Sequence, residues 1–318
     1  MQHNREKCGI VSGKTLFTQW ILLTAFVTIA AILFTQSAFA SSLGVAGDYS
    51  VFVFEDFTAP YGDVEGRLAA GGEVKLSSYS VGKGLSGVSS INTMVVGGDL
   101  AASNGQVNNG NVVVGGTATI SGFNVKDGSL TQNAIVPIGF AAEESNLTSL
   151  SQMLSSITAN GTVTTSGSTI SLQGVGASSL QVFNISAEQL LSATEIKLTG
   201  VASDATVVIN VSGTSVSMSY YGMETLKSIA SNVLFNFYEA ESLTILGSLA
   251  GTILATSADI TAYNGHIYGS VIAESWTGGT EVGYVPFEGT IPSVPEPATL
   301  ILLFSGLIGL AGLKRRMK

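Results

Sequence analysis

Short β-branched runs separated by glycine corners dominate the apolar and polar pattern between residues 41 and 294. Residues 68–81 (LAAGGEVKLSSYSV) align with 94–107 (MVVGGDLAASNGQV) and 112–125 (VVVGGTATISGFNV), with Gly-Gly pairs at 71/72, 97/98 and 115/116, so the spacings are 26 and 18. A late pair, 251–260 (GTILATSADI) and 269–278 (GSVIAESWTG), is again 18 apart. One such unit buries too little alone, but stacked units pair edge to edge and share one interior. The pattern predicts an all-β, β-helix-like parallel β-solenoid. A β-sandwich of similar hairpins is the competing architecture, and an 18-residue unit suits a coil of two or three short strands better.

The middle of the chain changes period. Leu147, Leu150, Leu154 and Ile157 form one helical stripe, which predicts a flanking α-helix over 141–158 that Asn160-Gly161 ends. Ser186 and Gln189 have capping-box spacing, predicting a short helix over 187–192. Strands are expected at 205–211 and 233–238.

Both ends read as targeting segments. Residues 1–40 hold a basic stretch, the apolar run 20–34 and small residues Ala38 and Ala40 at the cleavage positions. They predict a secretory signal peptide with a signal helix, the alternative being a retained membrane anchor. Cys8, the one cysteine, lies there, so disulfides, thiolate metal sites and a cysteine nucleophile are excluded from the mature chain. At the other end, Pro295-Glu296-Pro297 precedes the apolar run 298–313 and a basic end with Arg315 and Arg316. Sixteen residues fall short of the roughly 20 that span a bilayer comfortably, though flanking basic side chains can snorkel. The tripeptide, apolar helix and Arg-rich end together resemble the PEP-CTERM sorting signal. That resemblance implies transient membrane insertion through 298–313 and processing by an exosortase after export by the Sec machinery. The expected domains are therefore 1–40, a body over 41–291 and a sorting tail over 292–318.

The body also resembles a family. The segments 49–57 (YSVFVFEDF), 63–72 (DVEGRLAAGG), 77–82 (SSYSVG), 182–186 (VFNIS), 208–213 (VINVSG), 233–237 (VLFNF), 251–255 (GTILA), 264–273 (NGHIYGSVIA) and Pro286-Phe287 are similar, in order, to the choice-of-anchor A family. One departure is 255–259 (ATSAD), which lacks a proline after its alanine. The resemblance implies a secreted adhesive body, a variable surface-attachment tail and no catalytic residues.

Charge narrows the partners. The whole chain carries −9, but 41–297 holds six basic against 21 acidic residues, a net −15, which argues against nucleic acid. His266, the one histidine of the mature chain, sits in a glycine-bounded turn without an evident nucleophile or orienting partner. Neither a catalytic centre nor a cofactor is expected. Asp63, Glu65 and Arg67 alternate along one extended segment, so their side chains should share a face. They predict an ion-pair row that satisfies Arg67 or, with Asp56, an oxygen-ligand calcium site, although no EF-hand or nonapeptide spacing is present. Phe52 and Phe54 are expected to cap an end of the core, with an exposed sugar-stacking platform as the alternative.

The expected function is non-enzymatic: a surface or matrix protein whose Ser/Thr/Asn faces bind extracellular polysaccharide or other surface glycans within a biofilm. The first alternative is ice binding, suggested by 252–256 (TILAT) and 259–261 (DIT), but Glu73, Asp99 and Thr117 fall at one equivalent position and spoil a uniform face. The second alternative is a polysaccharide-active enzyme.

Overall fold

The computed structural model describes residues 43–87, 91–219 and 222–292. All lie in the compact unit Ser41–Lys318. The signal segment with Ala38 and Ala40, the sorting tail with Pro295, Glu296, Pro297, Arg315 and Arg316, and the helix over 298–313 lie outside the described residues. Among those described, no helix is long and apolar enough to cross a membrane.

The first coil is β1 (Val51–Val53), β2 (Phe57–Ala59) and β3 (Gly62–Val64). Three more follow: β4 (Leu68–Ala70) with β5 (Val74–Val81), β6 (Asn92–Val96) with β7 (Leu100–Val107), and β8 (Asn111–Val114) with β9 (Ala118–Val125), then a last short rung, β10 (Leu130–Thr131). Helix α1 (Phe140–Ser156) comes next. The second half contains β11 (Thr162–Ser166), β12 (Thr169–Gly176), β13 (Leu180–Ser186), α2 (Ala187–Ser192), β14 (Glu195–Val201), β15 (Thr206–Ser212), β16 (Ser215–Met218) and α3 (Glu224–Lys227). It closes with β17 (Val233–Asn236), β18 (Ser242–Ile245), β19 (Leu249–Ala250), β20 (Thr252–Ala262), β21 (His266–Tyr268), β22 (Val271–Gly278) and β23 (Glu281–Val282).

Apart from β11, β12 and β14, these strands stack in parallel into a solenoid whose first, second and third faces are those of β1, β2 and β3. The repeats are the register itself: Leu68 pairs with Met94 and Met94 with Val112, while Val81 pairs with Val107 and Val107 with Val125. The late repeat holds for only half its length. Ile253 pairs with Val271 at a separation of 18, but Asp259 pairs with Ser275 at 16, so β20 carries two extra residues at its bend.

Rung order is not chain order. Along the first face the strands run β13, β15, β17, β20, β22, β1, β4, β6, β8, β10. The described chain therefore starts mid-rod and winds out to β10. It then passes to the far end by way of α1, about 25 Å of helix, and winds back until β22 closes on β1. The aromatic end-cap expectation fails for this reason. Phe52 and Phe54 sit between two paired rungs, 0% and 5% exposed, and Phe52 packs 5.1 Å from the Phe140 ring of α1. They are neither a cap nor a sugar platform. The end near β13 carries a separate sheet instead, in which β11 runs antiparallel to β12 and β12 parallel to β14; its Ile170 and Leu172 enter the main core.

The first face is apolar on both sides, as parallel strands covered on both faces usually are. Inward residues such as Val51, Leu68 and Met94 fill the interior. Outward residues Phe52, Ala69, Val95, Val208, Leu234, Leu254 and Ile272 are buried against Leu147, Leu150 and Leu154 of α1. The helix docks polar groups too: Asn184, Asn210 and Asn236 stack on successive rungs with amide bonds of 3.1 and 2.9 Å, and Ser151 and the Leu154 carbonyl bond to Asn236 and Asn210. Helix α2 has its capping box, Ser186 Oγ accepting from Gln189 N and Gln189 Oε1 from Ser186 N.

Corners stack like the strands. A Cβ on Gly97 would strike the Gly71 carbonyl oxygen, and one on Gly115 would strike that of Gly97, so these turns close only without side chains. Between the second and third faces, Ser78, Asn104 and Gly122 stack in left-handed conformation, with φ of 52°, 52° and 63°.

Candidate functional site

The second face is left open to solvent. Its rungs run β16, β18, β20, β22, β2, β5, β7, β9, and one outward row crosses all eight strands: Ser217, Thr244, Thr261, Thr277, Thr58, Lys75, Ala101, Thr119. At about 4.8 Å per rung the row is about 34 Å long. Four consecutive threonines occupy its middle.

A second row borders it: Ser215, Ser242, Asp259 and Ser275 in register, continuing into Asp56, Glu73, Asp99 and Thr117 at the corner. Side chains link neighbouring rungs here. Ser275 Oγ donates to Asp259 at 2.5 Å, the Glu73 N–H to Asp56 at 2.7 Å, and Thr117 to Asp99 through both its N–H and its hydroxyl. Those two donors hold the Asp99 carboxyl below the ordinary aspartate value. Lys75 pairs with Glu73 at 2.6 Å, which raises the ammonium pKa above its usual value. A third row, Ser77, Ser103 and Ser121, flanks the far rungs. Between the rows, over the small side chains of Ala101 and Pro60, lies a shallow groove of about 460 Å³.

Of the residues that suggested ice binding, Asp259 and Thr261 lie on this face. Thr252 and Thr256 do not, being 0% and 5% exposed. The mixed position stands as expected, since Glu73, Asp99 and Thr117 stack just before the paired Val74, Leu100 and Ala118.

Asp63, Glu65 and Arg67 do not pair with one another. Strand β3 ends at Val64 and the chain bends through Glu65-Gly66, so the alternation stops before Arg67. Asp63 pairs with Lys83 at 3.4 Å, and Glu65 accepts from the Tyr284 N–H at 3.1 Å. Arg67 turns to the corner between the third and first faces, where Nη1 is 3.8 Å from Asp48, Nη2 donates to the Tyr49 hydroxyl at 2.8 Å and Nε to the Asn92 carbonyl at 3.0 Å. Among the described residues no three His, Asp or Glu side chains are grouped to hold a metal ion.

His266 opens β21. Its Nδ1 lies 3.5 Å from a Glu281 carboxylate oxygen and its ring 4.2 Å from Tyr268. Glu281 supplies the carboxylate partner that was not evident in the sequence, and among the described residues the ring makes no hydrogen bond to a hydroxyl.

The threonine row has no signature along the chain. Thr58 and Thr277 are 219 positions apart and meet only because β22 stacks on β2.

Residues 293–316 match the PEP-CTERM protein-sorting motif, which marks an exported, cell-surface protein and implies exosortase processing. No curated protein matches the chain. Two crystal structures are similar: an ice-binding protein from the Antarctic ascomycete Antarctomyces psychrotrophicus (17% identity, 78% of this chain and 98% of that one, TM-score 0.40) and an ice-binding protein from an Antarctic biological consortium (14% identity, 76% and 88%, TM-score 0.37). Residues 42–284 match the family described as "Putative Ice-binding-like adhesive domain", and the chain belongs to that family.

Proposed function

We propose that the protein is a non-enzymatic adhesin of the cell surface or its polysaccharide matrix, and that the second face is its adhesive surface. The observation that carries this is the row from Ser217 to Thr119, a hydroxyl-rich strip about 34 Å long on a rigid sheet. Each hydroxyl is a weak site, but an extended sugar polymer meets many at once, and linked weak contacts add by effective concentration. The acidic border row disfavours strongly anionic polymers there and favours neutral hydroxyl-rich chains. Exosortase would release the body from its tail, in keeping with the choice-of-anchor A resemblance, over boundaries near residues 40 and 292.

A specific observation also favours ice binding, namely the consecutive Thr244, Thr261, Thr277 and Thr58. Lys75, Ala101 and the carboxylates beside them break the regularity that an ice lattice needs. Pull-down on host matrix polysaccharide and thermal hysteresis separate the two. Retention without hysteresis is expected; hysteresis without retention would reverse the order.

A further inference from the structure

We infer that the corner holding Arg67 is a second binding site, for a carboxylate-bearing sugar such as a uronic acid unit at the end or branch of a polysaccharide. A cavity of about 390 Å³ opens there, within the usual size of small-molecule sites. Its wall is mixed, with Leu85, Ile91 and Pro286 on it, and its polar groups step along successive rungs, with Ser270 before β22, Ser50 before β1 and Arg67 before β4.

Arg67 is the only arginine between residues 41 and 297, and its guanidinium is held in advance. The Tyr49 hydroxyl and Asn92 carbonyl fix Nη2 and Nε, and the Tyr49 ring lies 4.1 Å from Cζ. Nη1 is left with a 3.8 Å approach to Asp48, whose side chain is 65% exposed. So long a contact with so exposed a carboxylate is weak, and a ligand carboxylate can take its place with charge-assisted hydrogen bonds. Tyr284 also lines the cavity, 47% exposed, its backbone N–H tied to Glu65 and its ring close over Gly66. An exposed aromatic ring lining the same cavity as a pinned guanidinium suits a sugar ring with an acidic substituent.

The site rests on the polysaccharide-adhesive reading but uses a different surface from the threonine row. The test titrates the folded body with a galacturonic acid trimer and with the neutral galactose trimer, read by calorimetry and by amide shifts at Ser270 and Tyr284. The acid is expected to bind about ten-fold more tightly or better, the worth of one charge-assisted contact. Tyr284→Ala should weaken it, Arg67→Gln should abolish it, and Asp48→Asn should strengthen it by removing the competing carboxylate. Arg67→Gln also loses the Tyr49 and Asn92 bonds, so Asp48→Asn and Tyr284→Ala decide if that variant fails to fold. Equal binding of both trimers, no binding of the acid, or tighter binding absent in Asp48→Asn would overturn the site. Polymer retention that survives such a result leaves the adhesive function standing; trimer binding without polymer retention supports the corner and removes the flat face.

Discussion

Asn236 and Ser151, 85 residues apart, hydrogen-bond to each other twice: the Ser151 hydroxyl donates to Asn236 Oδ1 at 2.6 Å, and Asn236 Nδ2 donates to the Ser151 carbonyl at 2.9 Å. Asn236 is 0% and Ser151 1% exposed, so neither has water as an alternative. The pair fixes α1 on the first face at a defined height, something an apolar stripe alone does not do. Asn236→Ala should cost about 2–3 kcal/mol, the penalty of leaving buried partners unsatisfied. Chemical denaturation measures it, and a change below about 0.5 kcal/mol would show that the ladder is incidental.

Tyr79 predicts the opposite sign. Its ring is wholly buried, edge-on to Phe57 at 5.9 Å, and among the described residues its hydroxyl has no hydrogen-bond partner. Burial pushes its pKa far up, with Asp63 and Glu281 adding to the shift. Tyr79→Phe removes an unsatisfied polar atom and keeps the shape, so stability should rise by about 1 kcal/mol. Thermal unfolding checks this; a lower melting temperature would mean that the hydroxyl has a partner.

The stacked corners make a third case. Gly97→Ala drives a methyl group into the Gly71 carbonyl and should destabilise by about 1–3 kcal/mol through overpacking. Gly167→Ala is a useful contrast, because nothing lies within 4 Å of a Cβ there and the cost is confined to its φ of +57°. Similar losses at both positions would contradict close stacking of the corners.

Asp99 gives a pH test. Its folded pKa is depressed by the Thr117 N–H and then by the Thr117 hydroxyl. A depressed carboxylate adds stability above its unfolded pKa, and that stability is lost as pH falls through the lower folded value. Thr117→Val deletes the hydroxyl and keeps the N–H, so the Asp99 pKa should move part of the way back up toward the ordinary value. Carboxyl NMR titration reads the shift, and an unmoved midpoint would remove the hydroxyl's role.

The repeats at 68–81, 94–107 and 112–125 showed the register of three coils because equivalent residues occupy equivalent corners and core positions. The amphipathic stripe placed α1, and Ser186 with Gln189 placed α2, because capping is local. Rung order was hidden. The pairing of Val51 with Val271 joins strands with no period in common, so neither the burial of Phe52 nor the neighbourhood of Thr58 and Thr277 could be inferred. Arg67 leaves the row for a smaller reason: strand alternation stops at Glu65-Gly66, where the chain bends.

The most direct measurement is retention of the exported body on immobilised host polysaccharide, comparing the wild type with the triple variant Thr58→Lys, Thr261→Lys, Thr277→Lys at equal folded fraction. Long charged side chains on three successive rungs should lift a polymer off the sheet, so retention should fall to background while the melting temperature changes little. Unchanged retention by the triple variant would place adhesion elsewhere and contradict the flat-face account.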